Sequence, residues 1–577
     1  MAKKLVAKAY PGDYMTLLAF SLDKSVLDEN PNFAGFAIER TDPKGNKRTL
    51  YNRLSFDSAY TKATKPEERK WTPSDEAPFQ KFRWIDVPPE PLDGEYVYKV
   101  TAMFGDGAGV LSRGPSATVK VSLPCEPYKD FELAFTKGYA SSQAYAEKFD
   151  NADIRPQGEK TIDLKKSEYE KYKARYEWLG GRARRLLMEF LDECVNNKNL
   201  SISVFAYDLD EPYLIDCLCR IAREGRLRII LDDSPLHAKP DKNNVPPIEI
   251  EAHKTILKAS KSKDSVIQGH FSRYSHDKIF IQRDMATGKG LRVLTGSANF
   301  SLRGLYVQAN SMIVIDDAAV AQLYADTFDE AFECGATYKG FVKGKMTSSW
   351  FDAAGKDLPS FKVSFAPHKE PAFSLDTVAE SVRDAESSVL FAIMNVYGAG
   401  KNVPGGPAME EIRKLNKRKD VFTYGTVQSQ GELSLFKPGA ANGNVTSFAY
   451  LKSKMPSEFR EEWYGGKGMT VHHKFIVKDF NGANPVVYTG SSNLAGGGET
   501  KNGDNLLAIR DKGVATAYAV EAVRLFDHYH FRDAMKSATA KGLSLTPPNA
   551  KKKWWRPYYD AENIKCRDRR LFALVDD

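Results

Sequence analysis

One two-part pattern occurs once in each half of this sequence, and it constrains the fold more than any other feature. The first copy is His276-Asp-Lys278-Ile-Phe-Ile, a short loop, then Val293-Leu-Thr-Gly-Ser297-Ala-Asn299. The second is His472-His-Lys474-Phe-Ile-Val, then Val487-Tyr-Thr-Gly-Ser491-Ser-Asn493. His to Asn spans 23 residues in one copy and 21 in the other, and a further asparagine follows 11 and 12 residues on, at Asn310 and Asn505.

The surroundings repeat as well. Residues 181–194 have helical spacing, 201–206 read as a strand, 211–223 as a helix with Pro212 in its first turn, and 227–231 as a strand. The same order returns as helix 375–383, strand 388–394, helix 408–415 and strand 421–427. Strand–helix–strand at this length is a βαβ unit, and two copies mean a duplicated lobe rather than a solenoid. Residues 15–22, 35–40, 96–104 and 117–123 are short, rich in β-branched and aromatic residues, and separated by Gly, Pro and Asp clusters. Asp210 is the expected cap of the 211–223 helix. The expected fold is therefore α/β. Two pseudo-symmetric lobes with mixed, mainly parallel sheets flanked by helices follow a small all-β sandwich, with divisions at 1–124, 125–345 and 346–577.

On a strand, residues two apart share a face, so His276 projects with Lys278 and His472 with Lys474. Each neighbouring strand ends in Gly-Ser-x-Asn, whose small residues let backbone approach a ligand while the amide offers donors. Two such copies facing each other present paired imidazoles to one tetrahedral anion, with Lys278, Lys474, Asn299 and Asn493 on its oxygens. This is a phosphoryl-transfer site that calls for no metal and no cofactor. One imidazole attacks phosphorus and the other protonates the leaving oxygen, then activates water. The sequence leaves open which histidine does which.

These residues resemble the phospholipase D superfamily, whose pattern is His-x-Lys, four residues, Asp, then Gly-Ser-x-Asn. The second copy matches through His472, Lys474, Asp479, Ser491 and Asn493; in the first, Asp284 falls one residue late. The resemblance covers about residues 180–535 and implies a metal-independent phosphodiesterase acting through a phosphohistidine, with His276 the nucleophile and His472 the acid–base. Ser297, Ser491, Asp479, Asp284, Asn310 and Asn505 are the supporting residues, and Asp208 and Asp210 are carboxylates in a position to orient an imidazole. The stretch Gly94–Ala102, followed by Gly105 and Gly107, is similar to the late strands of fibronectin type III domains and implies a docking module.

The substrate class rests on what rims the site. The insert 234–273 carries Lys239, Lys242, Lys254, Lys258, Lys261 and Lys263, and the insert 428–469 carries Phe436, Tyr450, Phe459, Trp463 and Tyr464. Cations beside aromatics suit a nucleic acid strand, and they also suit a lipid headgroup surface. The same two readings apply to Lys551-Lys-Lys-Trp-Trp-Arg-Pro-Tyr-Tyr559, unless that segment packs back onto the second lobe. The formal charge of +8 fits an anionic substrate of either kind. The first residues carry no apolar core of a signal peptide, no run is long enough to span a membrane, and the six cysteines show neither metal spacing nor a disulfide framework. The chain reads as cytoplasmic, with the active site complete in one chain. The leading expectation is a nuclease, the second a phospholipase D, and the third a catalytically inactive phosphate- or nucleic-acid-binding protein.

Overall fold

The computed structural model describes residues 4–57, 70–106, 109–138, 142–150, 152–154, 166–240, 244–394, 405–427, 443–447, 471–537 and 542–576. Near the N-terminus Leu5–Pro11, Thr16–Leu22 and Arg83–Asp86 form one antiparallel sheet. Lys47–Thr49, Phe33–Thr41, Gly94–Gly105 and Leu111–Leu123 form another. Alternate residues of a strand face one side. Leu18, Phe20 and Leu22 of the first sheet thereby meet Phe36, Ile38, Tyr98 and Val100 of the second in one apolar core.

That core holds a component from the far end of the chain. Trp555 and Tyr558 are buried in it, Trp554 and Tyr559 pack on its edge, and the indole of Trp554 donates to the Phe33 carbonyl at 3.0 Å. Arg83, from the N-terminal sheet, donates to Asp568 at 2.8 Å and also pairs with Asp527. The basic–aromatic segment therefore packs on the N-terminal unit and not on the second lobe. The unit's apolar core offers those rings more than solvent does, while Lys551 and Lys552 stay outside.

The first lobe is a seven-stranded sheet in the order Phe131–Phe135, Ser311–Ile315, Gly290–Gly296, Lys278–Asp284, Leu200–Ala206, Leu227–Leu231, Val266–Gln268. The second repeats it as Leu358–Ala366, Asn502–Arg510, Val486–Gly490, Phe475–Lys478, Ser388–Ile393, Phe422–Val427 and Gly443–Ser447, with Phe351–Gly355 at its edge. The parallel pairing expected from the βαβ order holds on one side of each sheet. The motif strands add antiparallel neighbours, so both sheets are mixed and antiparallel pairs outnumber parallel ones.

Helices cover the sheets. Pro212–Arg223 is capped by Glu211, whose carboxylate accepts from the Leu214 amide at 2.9 Å. The expected cap, Asp210, accepts instead from the Leu302 amide at 2.7 Å, because the chain turns one residue later than the proline suggested. The helix Lys166–Asn196 is broken at Gly181, where φ is 54°. Val204 and Ile281 of one lobe share a continuous core with Phe475, Val487 and Leu507 of the other. Among the described residues, no helix is long and apolar enough to cross a membrane.

Candidate active site

Each motif histidine sits just ahead of its strand, which starts at Lys278 in one lobe and Phe475 in the other. The segment leading to each histidine leaves its own sheet and pairs with the other lobe. Tyr274–Ser275 run parallel to Asn502–Gly503, and Val471 bridges to Ala309. This exchange delivers each imidazole to a partner on the opposite lobe. His276 Nδ1 lies 2.7 Å from Asp504 Oδ1, and His472 Nδ1 lies 2.8 Å from Asn310 Oδ1.

The partners set the tautomers. A carboxylate only accepts, so His276 carries its proton on Nδ1 and leaves Nε2 with a lone pair. The Asn310 amide nitrogen donates to the Gly304 carbonyl at 2.9 Å, which turns its oxygen toward His472 and gives that ring an Nδ1 proton too. The oxygen also accepts from Ser297 Oγ at 2.9 Å. The glycine before each motif serine has φ of 146° at Gly296 and 136° at Gly490, and a Cβ there would lie 2.4 Å from the carbonyl of Ser311 or Asn505. Only glycine lets the two strands close over the serine.

Lys278 and Lys474 are buried beside the imidazoles, each donating to the carbonyl of the histidine two residues before it. Among the described residues neither forms a salt bridge. Lys278 lies 4.7 Å from the Tyr207 ring centroid, and Lys474 lies 3.2 Å from both ring nitrogens of His472. Buried ammonium groups without a carboxylate are costly unless an anion completes the site. Burial pushes Lys278 down to about 8 and holds Lys474 well below the usual lysine range, Lys278 adding its repulsion. Both imidazoles fall well below their ordinary value, first through burial and then through the lysines. Burial raises the Asp504 carboxyl to about 6. Asn299 Oδ1 and Asn493 Oδ1 are buried without a hydrogen-bond partner; these oxygens only accept, so it is the Nδ2 hydrogens of the two amides that suit an anion.

Of the residues singled out in the sequence, His276, Lys278, Asn299, His472, Lys474, Asn493, Ser297, Ser491, Asn310 and Asn505 gather where the lobes meet. Asp479 and Asp284 do not. Each lies at the far end of its motif strand, seven or eight residues and so roughly 23–26 Å from its histidine at strand rise. Asp479 accepts from the Ser387 and Ser388 amides at 2.7 and 2.9 Å, and Asp284 from the Thr287 amide in a turn at 2.7 Å. Both organise loops. The pairing of Asn310 with Asn505 is also off by one. The backbone amides that reach Ser297 Oγ and Ser491 Oγ belong to Ser311 and Asn505, so the counterpart of Asn310 is Asp504. Asn505 donates to Asp277 at 3.1 Å instead. The signal was present: 11 residues beyond Asn493, the same interval as in the first lobe, falls on Asp504. Of the insert 428–469 only the strand Gly443–Ser447 is described; Phe436, Tyr450, Phe459, Trp463 and Tyr464 lie outside the described residues, as does Lys242.

Among the described residues, one group has metal-ligand spacing. Asp208, His237 and Glu249 bring ligand atoms within 4.8 Å of one another. His237 is however already bonded to carboxylates through both nitrogens, and burial raises the Glu249 carboxyl to about 8. The group reads as a carboxylate–imidazolium cluster.

Residues 187–332 match the family model described as "Cardiolipin synthase, PLD-like domain". The match covers about a quarter of the chain, within the first lobe. No curated protein matches the chain significantly. Among solved structures, polyphosphate kinase from Porphyromonas gingivalis is 11% identical with a TM-score of 0.38, over 61% of this chain and 48% of the kinase. This chain therefore spans about half the length of that kinase. Phosphatidylserine synthase of Haemophilus influenzae is 11% identical, with a TM-score of 0.40 over 59% of this chain and 84% of that one. Yeast tyrosyl-DNA phosphodiesterase is 11% identical, with a TM-score of 0.30 over 56% and 87%.

Proposed function

We propose that this protein hydrolyses phosphodiesters through a phosphohistidine, without a metal ion, and that its substrate is nucleic acid. The observation that carries the reading is the exchanged pairing of the two imidazoles, Asp504 on His276 and Asn310 on His472. The asymmetry supports His276 as nucleophile. Once its Nε2 bonds to phosphorus the ring is cationic, and a carboxylate on Nδ1 offsets that charge, whereas an amide oxygen does so weakly. With an anionic phosphodiester offsetting Lys278 and Lys474, His472 takes up a proton from solvent on Nε2 while the neutral amide of Asn310 holds Nδ1, and it gives that proton to the departing oxygen. It then takes one from the water that attacks phosphorus and breaks the P–N bond. Lys278, Lys474 and the two asparagine amides bind the non-bridging oxygens, where charge builds in the transition state.

The lean to nucleic acid rests on the first-lobe rim. Lys239, Lys254, Lys258, Lys261 and Lys263 are exposed, and the helix Ile248–Ala259 that carries two of them begins with Glu249 against Asp208 and His237. A row of exposed lysines starting at the site suits a polyanion. The C-terminal aromatics, which a lipid surface would use, are instead engaged in the N-terminal core. The pairing of a three-stranded with a four-stranded antiparallel sheet supports reading residues 1–124 as a fibronectin type III-like docking unit.

The test is hydrolysis, in excess EDTA, of end-labelled single- and double-stranded DNA beside labelled phosphatidylcholine vesicles, with His276→Asn as control. Cleavage of DNA that survives EDTA and is lost in the variant is expected. Strict dependence on added Mg²⁺ or Zn²⁺ would sink the phosphohistidine mechanism, and release of headgroup alone would make the protein a phospholipase D.

A further inference from the structure

The strand Leu227–Leu231 ends at Asp232, and the short helix Pro235–Ala238 that follows buries His237. Nothing in the repeated motif requires a histidine there. Its ring nevertheless spans two carboxylates, with Nδ1 at 2.8 Å from Asp232 Oδ1 and Nε2 at 2.9 Å from Asp208 Oδ1. Ionised carboxylates only accept, so both ring nitrogens are donors and the ring is an imidazolium. Each carboxylate spends its other oxygen on the active site. Asp232 Oδ2 accepts from the amide of Ser275, the residue before His276, at 2.6 Å. Asp208 Oδ2 accepts from the Asn299 side-chain amide at 2.5 Å.

A continuous chain of hydrogen bonds thus runs from the backbone entering His276, through Asp232, His237 and Asp208, to Asn299. It decides a geometry that Asn299 cannot decide alone. An amide can present either its nitrogen or its oxygen to a neighbour, and a carboxylate on one side forces the nitrogen there. Tyr207 closes the arrangement, its ring edge-on to His237 at 4.6 Å and to His276 at 4.7 Å between centroids.

The sequence of the second lobe does not repeat this pair of carboxylates. The register that sets Ala206 beside Leu231 sets Ile393 beside Val427, so Asn395 and Gln428 are the sequence counterparts of Asp208 and Asp232. Those two residues lie outside the described part of the structure, but neither is a carboxylate. The twofold is broken in the lobe that carries His276.

We infer that His237 is a positioning residue: it locks, through Asp208, the amide of Asn299 and, through Asp232, the backbone that presents His276, so that the first lobe's half of the phosphate cradle is set before substrate arrives. This rests on the phosphodiesterase reading above. His237 touches neither substrate nor reacting atoms, and its effect passes entirely through Asn299 and His276.

The experiment is a double-mutant cycle on the full chain, with bis(p-nitrophenyl) phosphate as substrate and inorganic phosphate binding measured by calorimetry on the same proteins. His237→Leu should lower kcat on the order of 10- to 100-fold, since small misplacements of a reacting group cost that much, with KM nearly unchanged. His237→Gln, which still bonds to one carboxylate, should recover part of the loss. In the background of Asn299→Ala the leucine variant should cost little more, because the amide it positions is gone. In the background of Asn493→Ala its cost should multiply in full. Equal multiplication in both backgrounds overturns the inference, as does wild-type kcat in a His237→Leu protein of unchanged thermal midpoint. A wild-type protein that binds phosphate but hydrolyses no diester refutes the hydrolase reading instead; loss of phosphate affinity with the same non-additivity would then still establish the positioning role.

Discussion

Asp504→Asn isolates the charge on the His276 partner while keeping a hydrogen bond. The new amide can turn its oxygen to the ring, as Asn310 does for His472, so the Nδ1 tautomer and ring orientation survive. What is lost is the negative charge 2.7 Å from Nδ1. A hydrogen bond to a charged group is worth about 1.5–3 kcal/mol against about 0.5–1.5 for a neutral one, so the smallest loss is about 1 kcal/mol. A full charge pair with ring and carboxylate centres about 4 Å apart is worth about 4 kcal/mol at an effective dielectric of 20, which bounds the loss from above. At 1.36 kcal/mol per decade, kcat should fall by about 5- to 1,000-fold, and the covalent phosphohistidine trapped by acid quench should fall with it. The wild-type protein should show the same loss in acid. The Asp504 carboxyl is raised to about 6, so its charge, and the rate that depends on it, disappear as pH drops through that value. Asp504→Asn should flatten this limb. If its turnover and acid limb match those of the wild type, the carboxylate does not stabilise the phosphorylated ring and the assignment of His276 as nucleophile fails.

At the alkaline side, Lys278 titrates at about 8, so kcat/KM of the free protein should decline as pH rises past that value and the ammonium is lost; a profile flat to pH 10 would show that its charge does not hold phosphate. Trp555→Ala removes a buried ring from the N-terminal core and should cost about 3–5 kcal/mol, read as a lowered midpoint in denaturant; a midpoint within experimental scatter would show that the C-terminal segment is not part of that core.

The lobes and their central residues were legible because local rules set them. The strand expected at 227–231 is Leu227–Leu231, and the Gly-Ser-x-Asn turns need glycine wherever two strands close on one serine. What could not be read locally was which group meets which across the twofold. His276 and Asp504 are 228 residues apart, and their contact depends on the Tyr274–Ser275 segment joining the other sheet. Asp479 and Asp284 illustrate the converse. They belong to the linear pattern, yet a strand carries each away from its histidine as reliably as it holds the lysine close. His237 left no periodic trace at all, because two carboxylates and a four-residue helix place it. The C-terminal rings were legible as apolar but not as belonging to a domain more than 500 residues upstream in the chain.

That last contact has a temporal side. A ribosome releases the strands of this unit long before Trp555, Tyr558 and Arg569, although Arg569 reaches back to Ser21 and both rings fill the core of those strands. Domains usually settle in the order in which they emerge. Here the earlier one stays unfinished until more than 500 further residues have been made, and the closing of its core doubles as a check that everything between has been translated.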